Sequence, residues 1–229
     1  MLVFIRVKES VCVLLSMENI LVAGANGTTG KIIVRILNQS QYFNPIALVR
    51  KEEQLAYFQS QNIQTILGDL EDDISHVFTS PIDKVIFAAG SGGKNVKGVD
   101  QEGAKRLIDA SKKSNIKKFV MLSSMGADKP EEATQLQEYL LAKYNADEYL
   151  KKSGLNYSIV RPGTLTNESQ ELTIELMEKL NKQGEISREA VAQTLVQSLD
   201  DKVGNNATFE IIKGENLITK ELLQISVAK

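Results

Sequence analysis

The chain has 229 residues, 42% of them hydrophobic and 24% charged, which supports a buried core and excludes global disorder. Its formal net charge is −2 with no basic block, so electrostatics disfavour a nucleic-acid partner. One cysteine (Cys12) and one histidine (His76) exclude an internal disulfide and argue against a metal site, and no stretch reaches the roughly 20 apolar residues of a membrane span.

Residues 1–16, MLVFIRVKESVCVLLS, hold two short apolar runs split by Arg6, Lys8 and Glu9. A signal peptide needs one unbroken apolar region and a small-residue cleavage site, and this stretch has neither. We expect 1–16 to be a dispensable extension, with an extra strand or helix as the alternative. From Met17 onward, short Val/Ile-rich runs alternate with stretches of helical period. NILVAGA predicts a strand, and TTGKIIVRILNQ a helix with Ile32, Ile33, Ile36 and Leu37 on one side. PIALVR predicts a strand, EEQLAYFQSQ a helix, TILGD a strand and ISHVF a short helix. KVIFAAG predicts a strand, VDQEGAKRLIDASKKS a long helix and KKFVMLSS a strand. LQEYLLAKYNADEYLKKSG predicts a long helix closed by Gly154, and NYSIVRPG a strand.

Strands that are apolar along their whole length are buried on both faces, as in a parallel sheet between helices. The expected fold class is α/β, a doubly wound parallel sheet of Rossmann type over about 17–163. The last third is less regular. SREAVAQTLVQSL predicts a helix capped by Ser187, ATFEIIKG a strand and ITKELLQIS a final helix. From about residue 164 we expect a small C-terminal lobe on the substrate side, within a single domain of 17–229.

The stretch ILVAGANGTTGK sets Gly24, Gly27 and Gly30 at every third position between a strand and a helix. Glycine admits positive φ and close backbone approach, and the helix N-terminus offers free N–H groups and a positive dipole end. This is a cradle for a pyrophosphate, with Asn26 inside it and Thr28 and Thr29 adding hydroxyls. The second strand ends Leu48-Val49-Arg50-Lys51. A site specific for NAD usually carries an acid there, whereas an arginine fork suits a 2′-phosphate, so the expected cofactor is NADP. Asp69 and Leu70 follow the third strand, where an acid can meet the adenine amino group. Ala88, Ala89 and Gly90 end the fourth strand with little bulk, leaving the cofactor room to pass.

Tyr139 and Lys143 stand four apart on a predicted helix and share a face. An ammonium beside a phenol favours the phenolate, which suits Tyr139 to exchange a proton with a carbonyl or alcohol. Ser123 and Ser124 end the fifth strand, where either hydroxyl can polarise the same oxygen. Arg161-Pro162-Gly163 turns the chain after the sixth strand, with Pro162 near the nicotinamide and Arg161 in a structural pairing with an acid. The alternative for Tyr139 is a packing role on a helix that also carries Tyr144 and Tyr149.

The set GANGTTG, LVRK, GDL, AAGSGG, VDQEGAKRLIDAS, KFVMLSSMGAD, YLLAK and IVRPG resembles the short-chain dehydrogenase/reductase superfamily. It is most similar to the atypical branch of NAD(P)-binding, NmrA-like and sugar epimerase/dehydratase-like proteins. The resemblance runs from about Met17 to the C-terminus and implies NADP binding by Gly24, Gly27, Gly30 and Arg50. It also implies catalytic roles for Ser123 or Ser124, Tyr139 and Lys143, with Lys143 also on the nicotinamide ribose. The family's fourth catalytic residue is an asparagine, and Asp100 stands in its place. The expected protein is a cytoplasmic NADP-dependent oxidoreductase, monomer or homodimer, acting on a small carbonyl, quinone or sugar-nucleotide-like substrate. A non-enzymatic NADP-binding redox sensor and a flavin-reductase-like enzyme that does not use the tyrosine are the rival readings.

Overall fold

The structure is a computed structural model that describes residues 17–168 and 172–227; the expected extension at 1–16 lies outside them. The first half alternates as the apolar runs require: β1 (Glu18–Ala23), α1 (Thr28–Asn38), β2 (Phe43–Val49), α2 (Glu52–Gln59) and β3 (Gln64–Leu67). A 3₁₀ turn at Ser75–Thr79 leads to β4 (Lys84–Phe87). A π-helix over Val96–Gly103 then runs into α3 (Ala104–Lys113), where the sequence predicts one uniform helix. β5 (Lys118–Leu122), α4 (Gln137–Lys152) and β6 (Tyr157–Pro162) complete the alternation, with Gly154 at φ +83° just beyond α4.

The remaining elements are β7 (Thr164–Thr166), β8 (Thr173–Met177), β9 (Glu185–Ser187), α5 (Arg188–Gln197), β10 (Ala207–Lys213), β11 (Asn216–Leu217) and α6 (Ile218–Val227). The main sheet has the order β11-β8-β10-β6-β5-β4-β1-β2-β3. It is parallel from β3 to β10, and β8 and β11 pair antiparallel at the far edge.

The last third is tied into the main sheet. In β10 the residues Phe209, Glu210, Ile211 and Ile212 are all buried, and consecutive buried side chains need cover on both faces, which only the main sheet supplies. β10 therefore pairs parallel with β6 and continues the sheet. Ala190, Val191 and Leu195 of α5 join Ile33, Val34 and Leu37 of α1 in one core cluster on that face. The other face is covered by Leu107 and Ile108 of α3 and by Ala146 and Leu150 of α4. Among the described residues only β7 and β9 stand off as a two-stranded parallel pair. Four short strands (β7, β8, β9 and β11) escape the sequence reading, since runs of two to five residues carry little periodic signal. Among the described residues no helix is long and apolar enough to cross a membrane.

Two buried lysines tie the sheet to the end of α5. Lys84 donates to the Leu199 carbonyl at 2.9 Å and pairs with Glu18 at 2.7 Å and Asp201 at 2.9 Å. Lys118 donates to the Asp200 and Val203 carbonyls at 2.9 and 2.6 Å. Burial pulls the Lys118 ammonium down from 10.5 to about 8. The folded chain then binds this proton less readily than the unfolded chain, so stability rises with pH from about 8 to 10.5 and is flat below 8. The gain across the window is about 3 kcal/mol as an order of magnitude. Urea denaturation at pH 7.5 and 9.5 tests this: the wild type gains stability and Lys118→Met loses that slope, while a flat wild-type profile would refute it.

Candidate active site at the carboxyl ends of the strands

β1 ends in a tight glycine turn. Gly24 has φ +84°, and a Cβ there would lie 2.6 Å from the Ala89 backbone at the end of β4. Gly27 donates its N–H to the Gly24 carbonyl at 2.9 Å, and α1 starts with no side-chain cap and no acid in its first turn. Its first N–H groups thus keep their donor capacity and the dipole end is uncompensated, which suits an anion. Gly30 has a different task, because a Cβ there would collide with the Gly24 carbonyl oxygen. It lets the helix pack on its own entry loop.

A cavity of about 270 Å³ opens beside this turn. Of the residues expected at the cofactor, Gly24, Asn26, Gly27, Arg50, Asp69, Leu70, Ala88, Ala89 and Gly90 line it. Thr28, Thr29, Gly30, Lys51, Lys143 and Pro162 do not. Thr28 is exposed, Thr29 is buried, the Lys51 ammonium reaches Glu53 at 3.4 Å, and the Pro162 carbonyl accepts the Met125 N–H. The sequence reading did not assign Leu48, Val49, Gln54, Gly68 and Val99 to the cofactor, and these also line the cavity. Gln54 is the third residue of α2 and its Oε1 accepts the Lys51 N–H at 3.3 Å, but with a lysine rather than a serine or threonine ahead of the helix the sequence carried no capping-box signal. Val99 had no signal either, because the π-helix sets its direction. His76 is exposed, with Nε2 2.8 Å from the Leu67 carbonyl oxygen.

Of the expected catalytic residues, Asp100, Lys143 and Tyr139 come together behind the Gly90 wall, and none of the five lines the cavity itself. On α4, Tyr139, Lys143 and Asp147 follow at intervals of four and form one row. Lys143 is 3% exposed. Its Nζ lies 3.3 Å from Asp100 Oδ1, 5.5 Å from the Tyr139 ring centre and 3.4 Å from the Leu122 carbonyl oxygen, to which it donates. Asp100 comes from the π-helix and is 1% exposed, and its Oδ2 accepts the Ser91 N–H at 3.0 Å. A Cβ on Gly90 would approach Asp100 Oδ1 to 3.2 Å, so the Asp100–Lys143 pair sits directly behind the cavity wall. The pair is neutral as a unit. It therefore acts on Tyr139 as a dipole rather than as a free ammonium.

The two serines separate. Ser123 donates to Asp147 Oδ2 at 2.8 Å, and Arg161 donates to the same oxygen through Nε at 3.0 Å and a terminal nitrogen at 2.9 Å. Ser123 thus joins a buried network in which its hydroxyl hydrogen is committed to Asp147. Ser124 is half-buried, and among the described residues its hydroxyl makes only a 3.2 Å bond to the Met125 carbonyl. Burial pushes the Asp147 carboxyl up, against the pull of Arg161, Ser123 and Lys143.

A parallel sheet, an uncapped helix behind a glycine turn and a cavity along the strand ends define a dinucleotide-binding α/β protein. A model of the NAD(P)H-binding family matches residues 24–202, and the chain belongs to that family. The protein YhfK of Bacillus subtilis (strain 168), named an uncharacterized sugar epimerase, is 35% identical over 209 residues, covering 88% of this chain and 97% of its own. A solved Bacillus halodurans structure described as an NAD-dependent epimerase/dehydratase superposes with a TM-score of 0.86 at 34% identity, covering 90% of this chain and 99% of its own. The oxidoreductase ylbE of Lactococcus lactis superposes with a TM-score of 0.82 at 28% identity, covering 90% and 96%. These neighbours agree with the atypical short-chain dehydrogenase/reductase resemblance, and their names divide between oxidoreductase and epimerase.

Proposed function

We propose that the chain is an NADP-dependent oxidoreductase of the atypical short-chain type, a cytoplasmic monomer or homodimer that reduces a small carbonyl, quinone or sugar-nucleotide-like substrate. The observation carrying this reading is the buried Asp100–Lys143 pair, set beside Tyr139 and directly behind the Gly90 wall of the cavity. A structural packing tyrosine does not need a buried lysine and its counter-ion at the edge of a dinucleotide cavity, since burying such a pair costs several kcal/mol per ion before compensation.

The Gly24–Gly27 turn and the start of α1 hold the pyrophosphate, and Arg50 meets the 2′-phosphate. The nicotinamide, when bound, supplies the reducing equivalent. Tyr139 donates the proton to the substrate oxygen, and Ser124 orients that oxygen. Lys143 is held in place by Asp100 and the Leu122 carbonyl, and would bind the nicotinamide ribose. Asp100, where the family carries an asparagine, supplies the countercharge that keeps Lys143 buried.

The test is NADPH oxidation over a panel of carbonyls, quinones and flavins, for the wild type and Tyr139→Phe. Loss of one proton donor is expected to lower kcat about 10²- to 10⁴-fold, with the NADPH Kd within about twofold. Turnover that survives the substitution would replace this reading with the flavin-reductase-like one. Tight NADPH binding with no turnover on any compound would favour the redox sensor.

A further inference from the structure

The junction of β2 and α2 forms one wall of the cavity, where Gln54 lies alongside Leu48, Val49 and Arg50. Gln54 is the third residue of α2, and its Oε1 accepts two backbone N–H groups, from Arg50 at 3.1 Å and from Lys51 at 3.3 Å. Two donors converging on one end of a carboxamide identify that end as the oxygen. The other end is then the nitrogen, with two N–H donors, and among the described residues it has no hydrogen-bonded partner. The side chain is a cap on one side and a donor on the other.

We propose that Gln54 is a cofactor-specificity residue whose Nε2 donates to the 2′-phosphate of an NADP-type dinucleotide seated beside Arg50. This deepens the NADP reading above and rests on it. A ribose 2′-hydroxyl in an NAD-selective site wants an acceptor. The one acceptor atom of Gln54 is already spent on the backbone, so only a donor remains. A phosphate offers several anionic acceptor oxygens, and a hydrogen bond to a charged group is stronger than one to a neutral hydroxyl. The surroundings agree in part. Arg50 is exposed and in no ion pair among the described residues, whereas the Lys51 ammonium is drawn off by Glu53. Glu52 and Glu53 occupy the first turn of α2, both exposed to water. Their charge opposes an anion, so the helix end itself is not the attraction and the neutral donor at position 54 is.

The experiment measures the Kd of NADPH and of NADH by calorimetric titration for the wild type, Gln54→Met and Gln54→Glu, each also in an Arg50→Ala background. Thermal midpoints are recorded alongside. Gln54→Met is expected to weaken NADPH about 10-fold and leave NADH within about twofold, and the same factor is expected to persist without Arg50. Gln54→Glu keeps an acceptor for both backbone N–H groups, so its thermal midpoint holds, while NADPH weakens by about 100-fold. The proposal is overturned if Gln54→Met changes the NADPH/NADH ratio less than twofold, or weakens both cofactors equally. It is also overturned if the effect vanishes in Arg50→Ala, because Gln54 would then act only by shaping the junction. A wild type with no preference for NADPH overturns the NADP reading itself. A wild-type preference that falls with Arg50→Ala but not with Gln54→Met leaves that reading standing and removes only this proposal.

Discussion

Replacing Gly24 by valine is expected to abolish dinucleotide binding, with NADPH affinity falling more than about 100-fold, and to cost the fold about 3 kcal/mol or more. Two effects add at this position. The residue has φ +84°, a region that β-branched side chains avoid. Its Cβ would also lie 2.6 Å from the Ala89 Cα and N and 2.7 Å from the Ala88 carbonyl carbon, all main-chain atoms. That backbone cannot retreat cheaply, since the Ala88 N–H is bonded to the Ala23 carbonyl at 2.9 Å. The cradle and the cavity wall would have to separate together. Gly27→Ala provides the contrast. Gly27 has φ −70°, and its Cβ would come no closer than 3.2 Å to the Gly24 carbonyl oxygen. Small losses are expected there. NADPH titration with urea denaturation on both variants checks the pair, and equal binding by Gly24→Val and wild type would refute the assignment of this turn as the cradle.

Arg161→Met is expected to destabilise the protein by about 3–5 kcal/mol near neutral pH. Asp147 is 0% exposed, and the variant leaves its carboxylate with only the Ser123 hydroxyl as a hydrogen-bond donor. The pH dependence has a definite sign. Burial already holds the folded Asp147 carboxyl above its ordinary value, and removing the guanidinium raises it further. A group raised in the folded state contributes stability below its unfolded value of 3.8, and loses it as pH rises through the folded value. The deficit of Arg161→Met relative to wild type should therefore be largest near pH 7 and shrink in acid. The double variant Arg161→Met/Asp147→Leu should recover much of the loss, because it removes the orphaned charge. Urea midpoints at pH 7 and pH 5 read both effects. A deficit independent of pH, with no recovery in the double variant, would show that Arg161 acts by packing alone.

The same buried network ties α4 to β5 and β6, and α4 is the helix that carries Tyr139 and Lys143. Stability and site geometry therefore share residues. A conservative change at Asp147 or Arg161 is expected to disturb the helix that carries Tyr139 and Lys143.

The residues by themselves determine the parts of this protein that depend on neighbours a few positions apart. The apolar runs ILVA, IALV, KVIF and KFVML are long enough to make strands buried on both faces, and the Ile33–Leu37 side of α1 must face a sheet. The Gly24-Gly27 turn, the Ser187 cap and the shared face of Tyr139 and Lys143 follow from local dihedral limits and the helical period. Tertiary structure decides everything that needs partners far apart in the chain. The π-helix brings Asp100 to Lys143, and Asp147 and Arg161 draw Ser123 into a buried network that does not include Ser124. β10 joins β6 because its buried side chains need both faces of a sheet, although its sequence is equally compatible with a small lobe. Periodicity states which side of an element is apolar. Which distant element covers that side, and which of several polar groups finds its partner first, is settled only when the chain closes on itself, because burial in a close-packed interior charges an unpaired polar group for every missing bond.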